Sequence, residues 1–233
     1  MVKETEIFLR YSPNHDARPA LPVSMLVLHY TGMPEAEMAL ERLCDSDSRV
    51  SAHYLIEEDG GILQLVEEDR RAWHAGIGFW RGCESVNDIS IGIELSHPGH
   101  EHGYRDFAAP QMKATCRLCQ DIIARYGIAP YNVIGHSDLA PERKQDPGER
   151  FPWAWLAAQG VGLWPSDPPA EANAGGLLER TALTPEDETG LHAYGYRAAS
   201  LSDTQTRSAL ITAFQRHFVP EAVTGDWSPA CQA

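Results

Sequence analysis

VSMLVLHY at 23–30 is an almost unbroken apolar run with β-branched members, the pattern of a strand buried on both faces. A helix is expected after it. Pro34 lies near that helix's first turn, Glu35 and Glu37 favour its N-terminus, and Met38 and Leu43 supply its packing face. VSAHYLIEEDGGILQLVEE holds two β-rich runs around Asp59-Gly60, residues that tolerate the positive φ of a tight hairpin. ISIGIEL at 89–95 reads as a central strand. In QMKATCRLCQDIIARY the positions Met112, Cys116, Cys119, Ile123 and Tyr126 recur at helical spacing, and Gly127 can close that helix in the left-handed conformation. YNVI at 131–134 predicts a short strand running into the turn-rich GHSDLAPERKQDPG, and FPWAWLAAQ at 151–159 a last short helix. Strands alternating with helices make an α/β domain with a central mixed β-sheet flanked by helices.

The composition changes at GVGLWPSDPPAEANAGG, which collects Pro, Gly and Ala with little to bury. The organisation that follows is a first domain over 1–160, a linker over 161–176 and a small all-α module over 177–233. Within the module, Thr184-Pro185-Glu186-Asp187 has an N-cap, a proline at the first helical position and acids in the first turn. Ser202-Asp203 starts a second helix with a stripe of Leu210, Phe214 and His217 or Phe218.

Charge narrows the possible functions. The 233 residues carry 19 Lys and Arg against 33 Asp and Glu, a net charge of −14, with no basic run to displace counterions from a phosphate backbone. Nucleic acid is excluded as a partner. No apolar stretch is long enough for a membrane span, and MVKETEIFLR lacks the pattern of a secretory signal. A soluble cytoplasmic protein is expected, or a periplasmic one if a signal has been removed. Five cysteines, an odd number, fit a reducing compartment, and Cys116 and Cys119 read as core residues of their helix rather than a redox or zinc pair.

Ligands in open α/β sheets gather at strand ends. His29 closes the first apolar strand, Glu94 sits near the end of ISIGIEL, His136 follows YNVI, and Asp146 stands in KQDPG two residues after Lys144. Two imidazoles and a carboxylate suit Zn²⁺ with a fourth position left for water, which is a catalytic arrangement. Glu94 is then the candidate base and Lys144 the cation for the charge developing on a carbonyl oxygen. A single histidine at a strand end can equally be a partly buried, hydrogen-bonded residue, so both readings stand on the residues alone.

Taken in order, LVLHYTG (26–32), VSAHYLIEEDG (50–60), RAWHAG (71–76), NDISIGIEL (87–95) and VIGHSDLAPERKQDPG (133–148) with the FPW after it resemble the zinc N-acetylmuramoyl-L-alanine amidases of the type-2 superfamily. That superfamily also includes peptidoglycan recognition proteins. The resemblance implies the mixed-sheet fold, Zn²⁺ on His29, His136 and Asp146, Glu94 as catalytic carboxylate and Lys144 near the oxyanion. An Asp as third ligand is similar to the AmpD and AmiD branch. The reaction implied is hydrolysis of the amide between the muramic acid lactyl group and L-alanine of the stem peptide, on anhydro-muropeptides in recycling or on peptidoglycan itself. The alternative is a recognition protein that binds peptidoglycan without cutting it, and Asp146 argues against that.

Substrate contacts are expected from Tyr30, His53, Trp73, His74 and Trp80, although His53 and His74 could equally be buried or stand behind the metal. His97, His100 and His102 read as a solvated loop at the cleft rim. The segment TQTRSALITAFQRHFVP resembles a helical peptidoglycan-binding module, for which a pad packed on the catalytic domain is an equal reading. A monomer is expected.

Overall fold

The computed structural model describes residues 7–165, 183–197 and 203–232. Most of the expected linker, 166–176, and Ser202 lie outside the described residues. The strands are β1 (Ile7–Leu9), β2 (His15–Ala17), β3 (Met25–Tyr30), β4 (Tyr54–Ile56), β5 (Ile62–Gln64), β6 (Arg70–Ala72), β7 (Ser90–Leu95) and β8 (Val133–Gly135). Six of them form a mixed sheet in the order β1-β5-β4-β7-β3-β8, and β2 pairs with β6. Strand β3 lies parallel between β7 and β8, while β4 and β5 form the expected antiparallel hairpin around Gly60, whose φ is 93°.

Side chains alternate across a strand, so β3 serves two cores. Leu26 and Leu28 join Ile91, Ile93, Leu95 and Val133 under α3 (Ala109–Tyr126), with Met112, Leu118, Cys119 and Ile122 of that helix. Cys116 and Cys119 are buried there, and burial pushes the Cys119 thiol up. On the other face Met25, Val27 and Ile134 pack with Trp80, Val86 and Leu139, and with Tyr196, Leu210 and Ile211 from the C-terminal segment. Both faces are covered, which is why the run reads as apolar throughout.

The remaining helices are α1 (Ala36–Cys44), α2 (Val86–Ile89), α4 (His136–Leu139), α5 (Trp153–Ala158), α6 (Pro185–Tyr194) and α7 (Thr204–Phe218). Thr184 and Asp187 cap α6 reciprocally, and the Asp203 carboxylate accepts from the amides of Gln205 and Thr206 to start α7. Two expectations shift. Met38 is 43% exposed, because the inward face of α1 is set by Ala39 and Leu43, one helical turn apart. Tyr131 and Asn132 belong to a single 3₁₀ turn, so the strand begins only at Val133.

Candidate active site

The alternation that splits the core also builds the site. His29 continues the Met25–Val27 face, and its parallel partner Glu94 shares that face with Ser90 and Gly92. His136 is the first residue of α4, directly beyond β8. Asp146 comes from the following loop, which is tied back when its carbonyl accepts the Ser137 amide at 2.9 Å. Three chain segments thus meet at the C-terminal ends of parallel strands.

Nδ1 of His29, Nδ1 of His136 and Oδ2 of Asp146 stand 2.9, 3.1 and 3.0 Å apart, and all three residues are buried. The surrounding bonds fix which atoms carry protons. The Ser90 hydroxyl donates to the Val86 carbonyl at 2.7 Å and so accepts from Nε2 of His74 at 3.0 Å. Nδ1 of His74 is then the acceptor for Nε2 of His29 at 3.1 Å, which leaves Nδ1 of His29 as a bare lone pair. Nε2 of His136 donates to the Ala75 carbonyl at 2.9 Å, so in the neutral ring its Nδ1 is a lone pair too. Two imidazole lone pairs and a carboxylate oxygen converge on one point with no proton between them. That arrangement is repulsive unless a cation is shared, and the nitrogen and oxygen donors suit zinc.

Burial sets the charges. It lowers His29 to about 4, with His136 as the next cause, and holds His74 well below the ordinary histidine range. Glu94 goes the other way: burial first, then Asp146, push it up to about 8, against a smaller pull from Lys144. Its Oε2 is buried with no hydrogen-bond partner among the described residues.

These groups open into a cleft of about 240 Å³ lined by Tyr30, Arg42, Trp73, His74, Glu94, Lys144, His136 and Asp146, among others. Lys144 is held at the rim by the hydrogen bond that its backbone N–H donates to the Ala140 carbonyl. Tyr30 and Trp73 are half-buried walls, Trp73 anchored by its indole N–H on Asp16 at 2.7 Å. His74 reaches the cleft, but both its ring nitrogens are engaged, and it stands behind His29.

Two residues expected to touch substrate lie elsewhere. His53 is fully buried, its Nδ1 accepting from the Gly92 amide and its Nε2 directed at the Arg70 carbonyl, and burial lowers it to about 3. Trp80 is fully buried with Tyr194 and Tyr196 edge-on at 5.0 and 5.3 Å, because the C-terminal segment covers it. Of the expected solvated histidines only His102 is exposed. His97 is buried in a stack on Phe107, and His100 receives the Tyr30 hydroxyl at 2.7 Å.

Other residues of the site were not singled out in the sequence. Ser90 and Gly92 could have been found from the alternation in ISIGIEL. Asn87, whose side-chain oxygen accepts from the amides of His74 and Ala75, and Arg143, which shares the Ala75 carbonyl with His136, carry no such signal.

Residues 19–149 match the family described as N-acetylmuramoyl-L-alanine amidase. The N-acetylmuramoyl-L-alanine amidase AmiD of Escherichia coli is 39% identical over 93% of this chain and 83% of that protein. The 1,6-anhydro-N-acetylmuramyl-L-alanine amidase AmpD of Enterobacter cloacae is 37% identical over 61% of this chain and 84% of that protein. Among solved structures, the E. coli AmiD complex with the substrate anhydro-N-acetylmuramic acid-L-Ala-D-gamma-Glu-L-Lys superposes with a TM-score of 0.76 at 39% identity, covering 93% of this chain and 89% of that one. AmpDh3 from Pseudomonas aeruginosa, in complex with an anhydromuramic pentapeptide, has a TM-score of 0.79 at 31% identity, covering 96% and 91%.

Proposed function

The chain belongs to the family of N-acetylmuramoyl-L-alanine amidases, and we propose that it performs the family's hydrolysis as a zinc enzyme with the metal on His29, His136 and Asp146. The bond cleaved joins the lactyl group of a muramic acid to L-alanine of the stem peptide. The observation that carries the zinc reading is the convergence of three lone pairs within 3.1 Å, with the proton of each imidazole directed away from the others. Zinc in that position supplies Lewis acidity toward the scissile carbonyl and makes water a better nucleophile near neutral pH.

The chain's own groups divide the remaining work. Glu94, with its proton affinity raised by burial, takes a proton from the attacking water and returns it to the alanine nitrogen as the C–N bond breaks. One water is consumed, and a lactyl carboxylate and a free amine are released. Lys144 supports the negative charge that gathers on the carbonyl oxygen. Tyr30 and Trp73 form the walls that orient the sugar and the stem peptide.

The same proposal includes a catalytic unit over 1–160 and a helical module over 177–233, working as a monomer. The substrate is an anhydro-muropeptide, in keeping with the ligands of the AmiD and AmpDh3 complexes, and the place proposed for the reaction is the cytoplasm, in recycling. Among the described residues no helix is long and apolar enough to cross a membrane.

Mass-spectrometric product analysis tests this, using the purified chain on an anhydro-muropeptide and on intact sacculi with and without a chelator. Free stem peptide from the soluble substrate alone, lost on chelation and restored by zinc, is the expected result. Release from sacculi as well would move the enzyme to wall turnover. Cleavage that survives full removal of metal would overturn the zinc reading.

A further inference from the structure

Behind the metal-ligand turn lies a second buried polar cluster that joins distant parts of the chain. Asp138 is two residues from His136 on the single turn of α4, and only 1% of its surface is exposed. One carboxylate oxygen accepts from the Gly135 amide at 2.8 Å, which fixes the entry to the turn, and also from Nδ1 of His217 at 2.8 Å. The other accepts from the Tyr196 hydroxyl at 2.6 Å. Both side-chain donors come from the C-terminal segment. They too are almost fully buried.

Neither donor is free to drift. The His217 ring lies flat on Trp153 at 3.9 Å between ring centres. Tyr196 follows Gly195, where a Cβ would stand 2.5 Å from the Trp80 indole, so the segment passes too close for any other residue. Arg81 holds the same stretch through the carbonyls of Ala193, Tyr194 and Gly195. Helix α7 also reaches the opposite wall of the cleft. Arg216 faces Glu149 at 3.7 Å, Glu149 faces Nε2 of His100 at 3.2 Å, and His100 meets the Tyr30 hydroxyl.

We propose that Tyr196 and His217 are positioning residues for the amidase reaction: through Asp138 they hold the turn that presents His136 to the metal. The inference rests on the reading of His136 as a zinc ligand. A buried carboxylate that lost these donors would seek others by moving its backbone, and His136 is carried on that backbone. The C-terminal helices are in this view part of the active-site scaffold rather than an appendage.

The test uses the full chain, with Zn²⁺ affinity measured by competition against a chromogenic chelator and kcat and KM measured on an anhydro-muropeptide. Tyr196→Phe removes only the hydroxyl, and His217→Phe keeps the ring stack but removes the donor. Each is expected to weaken zinc binding by about tenfold, the lower end for groups behind a ligand, and to lower kcat with little change in KM. His217→Asn, which returns an N–H near the Nδ1 position, is expected to recover most of the loss. Leu191→Ala loosens the same module without removing a donor to Asp138 and is expected to lower the melting temperature while leaving zinc affinity unchanged. Wild-type zinc affinity in Tyr196→Phe and His217→Phe, or equal losses in Leu191→Ala, would reduce the module to a packing pad and overturn the proposal. His136→Ala is measured alongside: if it still binds zinc as tightly, the ligand reading itself has failed, which is a different result.

Discussion

Gly92 lies directly beneath the ring of His74: a Cβ built on it falls 2.3 Å from Cγ of the imidazole. The strand can therefore carry no side chain at this position while His74 keeps its place between His29 and Ser90. Gly92→Ala is expected to displace the ring and cost about 1–3 kcal/mol through overpacking. Because the bond that orients His29 breaks with it, zinc affinity should fall about 10- to 100-fold. Thermal melts and a zinc titration of the variant measure the two effects. A melting temperature that drops with unchanged zinc affinity would mean that His74 has no role in holding His29.

Glu94 is in the cleft but outside the triangle of donors, so its removal should separate metal binding from chemistry. Glu94→Gln is expected to keep one zinc per chain and lose about 10²- to 10⁴-fold in kcat, the range for a positioned proton carrier. In the wild type, zinc at about 100 times its dissociation constant should add about 2.7 kcal/mol of stability over the chelated protein. Metal analysis, steady-state kinetics and calorimetry check the three values. Near-normal turnover in Glu94→Gln would assign the proton transfer to another group.

The positions of His29, Glu94 and His136 were legible because each ends or follows an apolar run, and parallel strands bring such ends to one edge, whereas Asp146, in the polar loop KQDPG, rested on the resemblance of its whole segment. What separates His53 from His74 was not. Both stand in similar local sequence, and the difference arises from β7, where the Gly92 amide bonds to one ring and the missing Gly92 side chain makes room for the other. Trp80 looked like Trp73 for the same reason: its cover, Tyr194 and Tyr196, is supplied from the far end of the chain. Three-residue strands such as β6 and the single turn of α4 are too short to leave any periodicity.

The burial of His53 has a pH consequence whose sign is fixed. Its pKa is lowered in the folded protein from an ordinary 6.5 to about 3, so the stability tied to the neutral ring is complete above about 6.5 and is lost as pH falls toward 3. Over that window one proton taken up on unfolding corresponds to about 1.4 kcal/mol per pH unit. Denaturant midpoints of metal-free wild type and His53→Asn between pH 7.5 and 5 compare the slopes, the chelated state being used so that zinc release does not add to them. The variant is expected to show the shallower fall with acidification. Parallel slopes would mean that this ring takes up its proton without unfolding.

Trp73 and Trp80 make a final contrast between contact and support. Trp80→Ala empties a fully buried indole site between the sheet and the C-terminal helices, and should cost about 3–5 kcal/mol. The loss should fall on α6 and α7, seen as faster amide exchange in those helices. Trp73 is half-buried on the cleft wall, so Trp73→Ala is expected to cost less stability and to raise KM several-fold with kcat nearly kept, the pattern of lost uniform binding. Should Trp80→Ala instead raise KM at an unchanged melting temperature, the indole would have to reach substrate through the helices that cover it. The module would then have to open during turnover.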